Sequence, residues 1–214
     1  MEIEKVAKAW DWAKADLSSW KDVAPEAHYL AARWKETNKR RFLDFGAGLG
    51  RHSLFFQSLG FDVKAFDLSK EAVEELQRKG VSVIESDMHH VGYPDASFDC
   101  LLAYHVCSHT DEKGIRLVAK EVERLLDKDG EFYLDLCDKS GWMFTKSDYP
   151  KLDASTVISQ EEGPEFGVPH FCASKEDIAD IFKSFEIVRL EERISYDGSF
   201  QENGRHFWIL GRKK

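Results

Sequence analysis

The spacing of apolar positions near the start of the chain predicts two helices over residues 3–37. Steps of three and four residues would place four side chains on one face of the first helix: Trp10, Ala13, Leu17 and Trp20. Pro25 suits the first turn of the second helix. The inner face of that helix would carry Ala27, Leu30 and Trp34.

From Arg41 onward, short apolar runs alternate with amphipathic segments. The runs predict five strands: Arg41–Phe45, Phe61–Phe66, Val81–Glu85, Phe98–Val106 and Glu131–Cys137. The segments between them contain helical patterns, and two of these helices would end at Gly60 and Gly80. This alternation favours βαβ units, hence a parallel sheet with helices on both faces.

The alternation stops after the fifth strand. Residues 141–169 hold three of the five prolines, so we expect a long irregular loop that serves as a lid over a site. Ser174 begins a capping box for a last helix through Lys183. Phe185–Tyr196 and Arg205–Gly211 then predict an antiparallel hairpin.

We interpret the whole chain, residues 1–214, as a single domain with four parts. Helices in 1–40 would cover the cleft of a core formed by 41–140. Residues 141–173 would form the substrate-side loop, and 174–214 the final helix and antiparallel strands.

Charge and composition narrow the classes of partner. The 214 residues are 43% hydrophobic and 32% charged, as expected for a globular protein. With 30 basic and 39 acidic residues the net charge is −9, and no basic stripe is present, so we expect neither a nucleic-acid nor a membrane partner. Four cysteines without a CxxC spacing, and no apolar run behind a basic start, favour a cytoplasmic protein with reduced thiols.

The segment Asp44-Phe45-Gly46-Ala47-Gly48-Leu49-Gly50 joins the first predicted strand to a helix. Glycines at such a turn let a ligand approach the backbone closely. Asp67 follows 21 residues after Gly46, at the end of the second strand, where a carboxylate can accept hydrogen bonds from ribose hydroxyls. Asp87 follows the third strand, so three acidic residues would share the carboxyl edge of the sheet.

Residues 41–137 resemble the class I S-adenosylmethionine-dependent methyltransferases. The first motif of that family, an acidic residue followed by x-G-x-G-x-G, is matched by Asp44, Gly46, Gly48 and Gly50. The dinucleotide fingerprint G-x-G-x-x-G fits less well because Arg51 stands at its last glycine. The resemblance implies a Rossmann-like, doubly wound, mostly parallel seven-stranded sheet with helices on both faces and a C-terminal antiparallel hairpin. It also implies S-adenosylmethionine as cofactor and S-adenosylhomocysteine as product.

Carried onto this sequence, the resemblance assigns cofactor contacts to two groups of residues. The methionine end would meet Asp44, Gly46, Ala47, Gly48, Gly50, Tyr104 and His105. The nucleoside end would meet Asp67 at the ribose, Leu68 and Met88 beside the adenine, and Asp87 at the adenine amino group.

Methyl transfer from a sulfonium needs alignment and a site without water more than it needs a covalent catalyst. The residues around the methyl acceptor, here called the acceptor side, therefore leave few recognisable motifs in the sequence. A general base would come from His105 or His109, after the fourth strand. Other substrate-side candidates are Trp20, Trp142, His170 and His206. His105-x-Cys107-x-His109 offers three metal-type side chains but no fourth partner, so we expect no metal.

The sequence therefore predicts a methyltransferase that acts on an oxygen, nitrogen or sulfur atom of a small molecule, as a monomer or homodimer. Two alternatives remain open. An NAD-dependent oxidoreductase would use the same glycine-rich turn, and a binding module would hold adenosylmethionine or adenosylhomocysteine without transferring the methyl group.

Overall fold

A computed structural model describes residues 10, 12–15, 20–145 and 148–214. After a single turn of 3-10 helix at Trp12–Lys14, the helices are α1 (Pro25–Glu36), α2 (Arg51–Ser58), α3 (Lys70–Arg78), α4 (Glu112–Leu125), α5 (Trp142–Thr145) and α6 (Lys175–Ile181). The strands are β1 (Arg41–Phe45), β2 (Asp62–Asp67), β3 (Ser82–Glu85), β4 (Phe98–Ala103), β5 (Leu126–Asp138), β6 (Thr156–Ile158), β7 (Pro169–Ala173), β8 (Phe185–Tyr196) and β9 (Glu202–Lys213).

The predicted seven-stranded sheet is present in the order β3-β2-β1-β4-β5-β9-β8. The first five of these strands are parallel, β9 runs antiparallel to β5, and β8 runs antiparallel to β9. The α/β class, the parallel core and the C-terminal hairpin are thus confirmed. The carboxyl ends of β1 to β5 share one edge, and the site lies there.

Alternating residues of the central strands enter two different cores. On β4, Leu101 and Ala103 pack on one face of the sheet, whereas Cys100 and Leu102 pack on the other. Successive strand residues point to opposite faces, so a strand covered on both sides must be apolar throughout. This burial explains why β4 shows a continuous apolar run rather than an alternating one.

The segment 141–169 contains regular structure, so the prediction that it is irregular is wrong. It holds the single turn α5 and the strand β6, and β7 begins at its last residue, Pro169. β7 runs parallel to the end of β5 at Cys137 and Asp138, and β6 pairs antiparallel with β7. Pro169 stands at the first position of its strand, where a missing N–H is tolerated. Two further strands therefore extend the sheet beside the site.

The helix boundaries follow local signals. The Ser69 side chain caps α3, and Ser174 with Asp177 forms the predicted capping box of α6. Pro25 opens α1, as predicted. Of the first predicted helix, Trp12–Lys14 form only a 3-10 turn, and Leu17 lies outside the described residues. No helix in the described ranges is long and apolar enough to span a membrane.

Candidate active site

The turn between β1 and α2 requires glycine for two reasons. Gly46, Gly48 and Gly50 have φ angles of +72°, +52° and +85°, a region that other residues rarely adopt. A Cβ on Gly46 would also lie 2.6 Å from the Val106 side chain, and one on Gly48 would lie 2.7 Å from the Trp12 ring. The turn thus exposes bare backbone that other groups can approach closely.

The three predicted acidic residues lie in a row at the carboxyl edge of the sheet. Asp67 accepts hydrogen bonds from the backbone N–H groups of Gly48 and Ser69, both at 2.8 Å. One of these bonds ties the end of β2 to the glycine turn. Asp87 accepts a hydrogen bond from the His89 N–H at 2.8 Å and lies 2.5 Å from His89 Nδ1.

Asp44 is almost fully buried at the end of β1. Its Oδ2 accepts a hydrogen bond of 2.6 Å from the Ser53 hydroxyl, at the start of α2. Burial raises the pKa of Asp44 to about 6, against the opposing effect of that hydrogen bond. Burial also raises the pKa of Asp67. Both carboxylates are therefore sites where a cationic ligand group would be stabilised.

These residues surround one concavity, which we call the glycine cleft. Its lining comprises Trp10, Trp12, Trp20, Asp44, Gly46, Ala47, Gly48, Leu49, Arg51, His52, Phe66, Asp67, Leu68, Ser86, Asp87, Met88, Tyr104, His105, Val106 and His109. Ten of the eleven residues predicted to hold the cofactor belong to it. Gly50 is not among the described residues that line it. A Cβ on Gly50 would lie 2.0 Å from Leu76, so this glycine allows α2 to pack closely on α3.

A second concavity, the histidine cavity, adjoins the glycine cleft and has a volume of about 550 Å³. Its lining comprises Trp20, Tyr104, His105, Ser108, His109, Asp135, Cys137, Trp142, Met143, Glu161, Glu165, His170, Arg193, Ile194, Ser195, Asn203, Gly204, His206 and Trp208. All six histidine and tryptophan residues predicted for the acceptor side line this cavity. The two concavities share Trp20, Tyr104, His105 and His109, so they meet at the end of β4.

A buried carboxylate between two histidines forms the floor of the histidine cavity. Asp135 on β5 lies 2.8 Å from His105 Nδ1 and 2.6 Å from His206 Nδ1, both through its Oδ2. Its Oδ1 accepts a hydrogen bond from the His105 backbone N–H at 2.6 Å. His105 has a φ angle of +57°, and this hydrogen bond helps to hold the turn. Both imidazoles thereby direct Nδ1 toward Asp135.

The surroundings of Asp135 and His206 favour the charged form of both side chains. Burial opposes ionisation of Asp135, but the charge of His105 and hydrogen bonds from both histidines hold the pKa of Asp135 well below its usual range. Burial likewise disfavours the charged form of His206, yet Cys137 and Asp135 together raise the pKa of His206. The pattern of residues along the chain did not predict a role for Asp135. The only signal was one carboxylate within the apolar run of β5.

A second group lies across the same cavity. His109 Nε2 is 3.8 Å from Glu165 Oε1, and His170 Nε2 is 3.5 Å from Glu165 Oε2. The rings of His109 and His170 meet edge to face at 4.9 Å between centroids. Burial lowers the pKa of His109 to about 4. Burial has the same effect on His170, but Glu165, Cys137 and the Val168 carbonyl together outweigh it, so the pKa of His170 is raised.

The HxCxH spacing does not form one cluster. His105 and His109 belong to the two different groups, and Cys107 is fully buried in the core, where burial raises the pKa of its thiol. Glu165 was not predicted either, because it lies in the segment 141–169 that was expected to be irregular.

Aromatic side chains close the boundary of the two concavities. The Trp20 ring stands edge-on to His105 at 6.5 Å, and the Arg51 guanidinium lies over both Trp20 and Tyr104, at 5.1 and 5.2 Å. Trp142 on α5 lines the far side of the histidine cavity. These rings make the walls largely apolar, whereas the polar groups are concentrated at the ends of strands.

Residues 43–134 match a family model described as a methyltransferase domain. The chain carries a methyltransferase domain. The matched range runs from β1 into β5 and contains the glycine turn, the acidic row and His105. This finding confirms the resemblance drawn from the Asp44-x-Gly46-x-Gly48-x-Gly50 motif, together with the predicted enzyme class.

Solved structures of similar fold include other methyltransferases. An S-adenosylmethionine-dependent methyltransferase from Methanosarcina mazei is 18% identical, covers 90% of this chain and 98% of its own, with a TM-score of 0.69. The 1,6-didemethyltoxoflavin-N1-methyltransferase of Burkholderia thailandensis, solved with its substrate and S-adenosylhomocysteine, is 18% identical over 93% of this chain and 81% of its own (TM-score 0.62).

Magnesium protoporphyrin IX methyltransferase from Synechocystis, solved with S-adenosylmethionine, is 15% identical over 88% of this methyltransferase and 78% of its own chain, with a TM-score of 0.61. At such identities the likeness establishes the fold alone. No curated protein matches this chain in sequence.

Proposed function

We propose that this methyltransferase moves the methyl group of S-adenosylmethionine to an oxygen, nitrogen or sulfur atom of a small molecule. The observation that carries the proposal is the meeting of two concavities at the end of β4, where His105 lines both. The glycine cleft has the shape and acidic groups for the methyl donor, and the histidine cavity leaves room for an acceptor on the other side of His105.

Each part of the donor has a complementary group in the glycine cleft. The bare backbone from Gly46 to Gly48 would lie beneath the methionine portion, and the buried carboxylate of Asp44 would attract its ammonium group. Asp67, fixed by two backbone N–H groups, retains lone pairs that would accept hydrogen bonds from the ribose hydroxyls. Leu68 and Met88 would flank the adenine, with Asp87 at its amino group.

The reaction itself is an in-line displacement at the methyl carbon. The acceptor atom forms a bond to the methyl carbon as the carbon–sulfur bond breaks, and the electron pair stays on sulfur. The enzyme contributes alignment, which is worth about 7–11 kcal/mol in well-oriented intramolecular models. Trp10, Trp12 and Trp20 cover the cleft and would exclude water, the role proposed for the segment 1–40.

His105 is the proposed general base for an acceptor that must lose a proton. Its Nδ1 is held by Asp135, so the neutral ring presents the lone pair of Nε2 away from that carboxylate. Ionised Asp135 also stabilises the imidazolium that forms when His105 takes the proton, as in other carboxylate–histidine pairs. Burial lowers the pKa of His109 to about 4, which makes His109 a weak base.

A small-molecule acceptor fits the volume and charge. A cavity of about 550 Å³ lies within the range of about 300–1,000 Å³ that is typical of small-ligand sites. The net charge of −9 disfavours a polyanionic substrate such as nucleic acid. A small molecule is also what the toxoflavin and porphyrin methyltransferases of similar fold act on, by their names.

Calorimetric titration with S-adenosylmethionine, S-adenosylhomocysteine and NAD tests the donor site. We expect the first two to bind and NAD not to. Asp67→Ala should weaken binding by tenfold or more, whereas Asp62→Ala, at the exposed opposite end of β2, should leave it unchanged. Unaltered affinity in Asp67→Ala would refute the assignment of the ribose site.

Turnover is then measured as adenosylhomocysteine formed in the presence of a panel of small hydroxyl, amine and thiol compounds. Product with any of them supports transfer. Tight binding of both cofactor forms without product from a broad panel would instead favour the binding module.

A further inference from the structure

The two histidine–carboxylate groups in the histidine cavity differ in spacing. In the first, His105 and His206 lie within 2.8 Å of Asp135, which is hydrogen-bond distance. In the second, the corresponding distances from His109 and His170 to Glu165 are 3.8 and 3.5 Å, beyond the usual hydrogen-bond range of about 2.7–3.2 Å.

The wider spacing is the one that a metal ion needs. Two donor atoms at about 2.1 Å from one ion are about 3.0 Å apart at a right angle and about 3.4 Å apart at the tetrahedral angle. The distances of 3.5 and 3.8 Å around Glu165 exceed the tetrahedral value by about 0.1 and 0.4 Å. In the Asp135 group the corresponding distances of 2.8 and 2.6 Å fall below the metal-ligand spacing and are those of direct hydrogen bonds.

The donors around Glu165 are also held in position by backbone hydrogen bonds. His170 Nδ1 lies 3.1 Å from the Val168 carbonyl, so it donates there and Nε2 is the nitrogen directed toward Glu165. This arrangement is the usual second contact of a metal-binding histidine. The Phe171 N–H donates to the Ser108 carbonyl at 2.7 Å, and this bond fixes the strand carrying His170 beside the turn carrying His109.

We propose that His109, Glu165 and His170 bind one divalent transition-metal ion, through one nitrogen of each histidine and the Glu165 carboxylate. Two imidazoles and one carboxylate suit zinc, iron, cobalt, nickel or manganese rather than calcium or magnesium, which prefer all-oxygen sites. The remaining coordination positions face the histidine cavity, because all three residues line it. This proposal replaces the expectation of no metal drawn from the sequence.

The open positions define the kind of acceptor that the ion would hold. An anionic oxygen or sulfur atom would complete the coordination on the side of the cavity near His105. That step rests on the proposed methyl transfer. Binding of the ion itself does not, so the two ideas are tested separately.

Cobalt is the probe, because its visible spectrum reports the ligands. Full-length protein without an affinity tag is stripped with EDTA, dialysed and titrated with Co²⁺ by calorimetry and absorption, with neither methyl donor nor acceptor present. We expect one equivalent to bind. Glu165→Gln and His109→Gln should each weaken binding about thirtyfold or more, and variants that still bind adenosylhomocysteine are folded.

Two variants in the same cavity are matched controls. Glu161→Gln removes a carboxylate that accepts a hydrogen bond from the Tyr149 hydroxyl, and His206→Gln removes a histidine of the Asp135 group. Both should keep Co²⁺ affinity within about twofold. The proposal fails if wild type takes up no Co²⁺, if Glu165→Gln binds as wild type, or if only His206→Gln loses the ion. A thiolate-to-cobalt charge-transfer band would also refute it, since it would place the ion at Cys137.

Discussion

Replacing Asp135 by Asn tests the most buried charge of the site. The substitution keeps the size of the side chain and removes its charge. In wild type, the carboxylate accepts from the His105 backbone N–H and from Nδ1 of both His105 and His206. An asparagine offers one acceptor oxygen and two donor hydrogens, so at least one of these N–H groups would face another donor.

The cost follows from these contacts. A hydrogen bond to a charged group contributes about 1.5–3 kcal/mol, and an unsatisfied buried donor costs about 1–3 kcal/mol. The three bonds share one carboxylate and are not additive, so we expect the variant to lose about 3 kcal/mol of unfolding free energy. That value agrees with the usual cost of breaking a buried ion pair, about 3–5 kcal/mol.

The assay is urea denaturation at neutral pH, with Asp138→Asn as the matched variant. Asp138 is also buried at the end of β5, but its Oδ1 accepts hydrogen bonds from Ser140 rather than from a histidine. NMR titration of the histidines distinguishes the two variants. His206 should titrate at lower pH in Asp135→Asn but not in Asp138→Asn, because only the first variant removes the anionic partner of His206.

Methyl transfer gives the second readout. Loss of the base-orienting carboxylate should lower kcat by about 100-fold or more for an acceptor that must be deprotonated, within the usual range for general-base catalysis. Adenosylhomocysteine affinity should remain within a few-fold. If Asp135→Asn unfolds within 1 kcal/mol of wild type and keeps the titration of His206, the proposed charge pairing is wrong.

Two further predictions concern the glycine cleft. The pKa of Asp44 is raised to about 6, so below that pH the binding of adenosylmethionine must displace a proton from Asp44. The affinity for adenosylmethionine should therefore fall by up to tenfold for each pH unit below about 6. A similar fall in Asp44→Asn would show that Asp44 is not the titrating group. Gly46→Ala should lower unfolding free energy by about 2–4 kcal/mol, from its positive φ and the contact with Val106. Gly60→Ala is the control, because Gly60 also has a positive φ, +82°, but has open space around it. It should lose only the free energy due to backbone strain, about 1 kcal/mol. Equal losses in the two variants would show that the contact with Val106 does not contribute.

Local sequence signals were sufficient to predict most of the residues that line the glycine cleft. The glycine turn, the Ser69 cap and the acidic residues at the ends of β1 to β3 depend on residues close together in the chain. Parallel strands bring their carboxyl ends to one edge, so the row of Asp44, Asp67 and Asp87 could be predicted from order alone. The long apolar run of β4 likewise indicated a strand buried on both faces.

The polar groups of the histidine cavity were decided by tertiary structure. Asp135 becomes a partner of His206 only because β9 pairs with β5 in a register that brings them together, 71 residues apart in sequence. Glu165 meets His109 only because β7 joins the end of β5, through a strand pairing of two residues that no periodicity reveals. A pairing of two residues is stable here because β5 is already held in the sheet by its other neighbours. The sequence alone therefore determined the seven-stranded core and the residues that line the glycine cleft, whereas long-range strand pairing selected the groups that surround the histidine cavity.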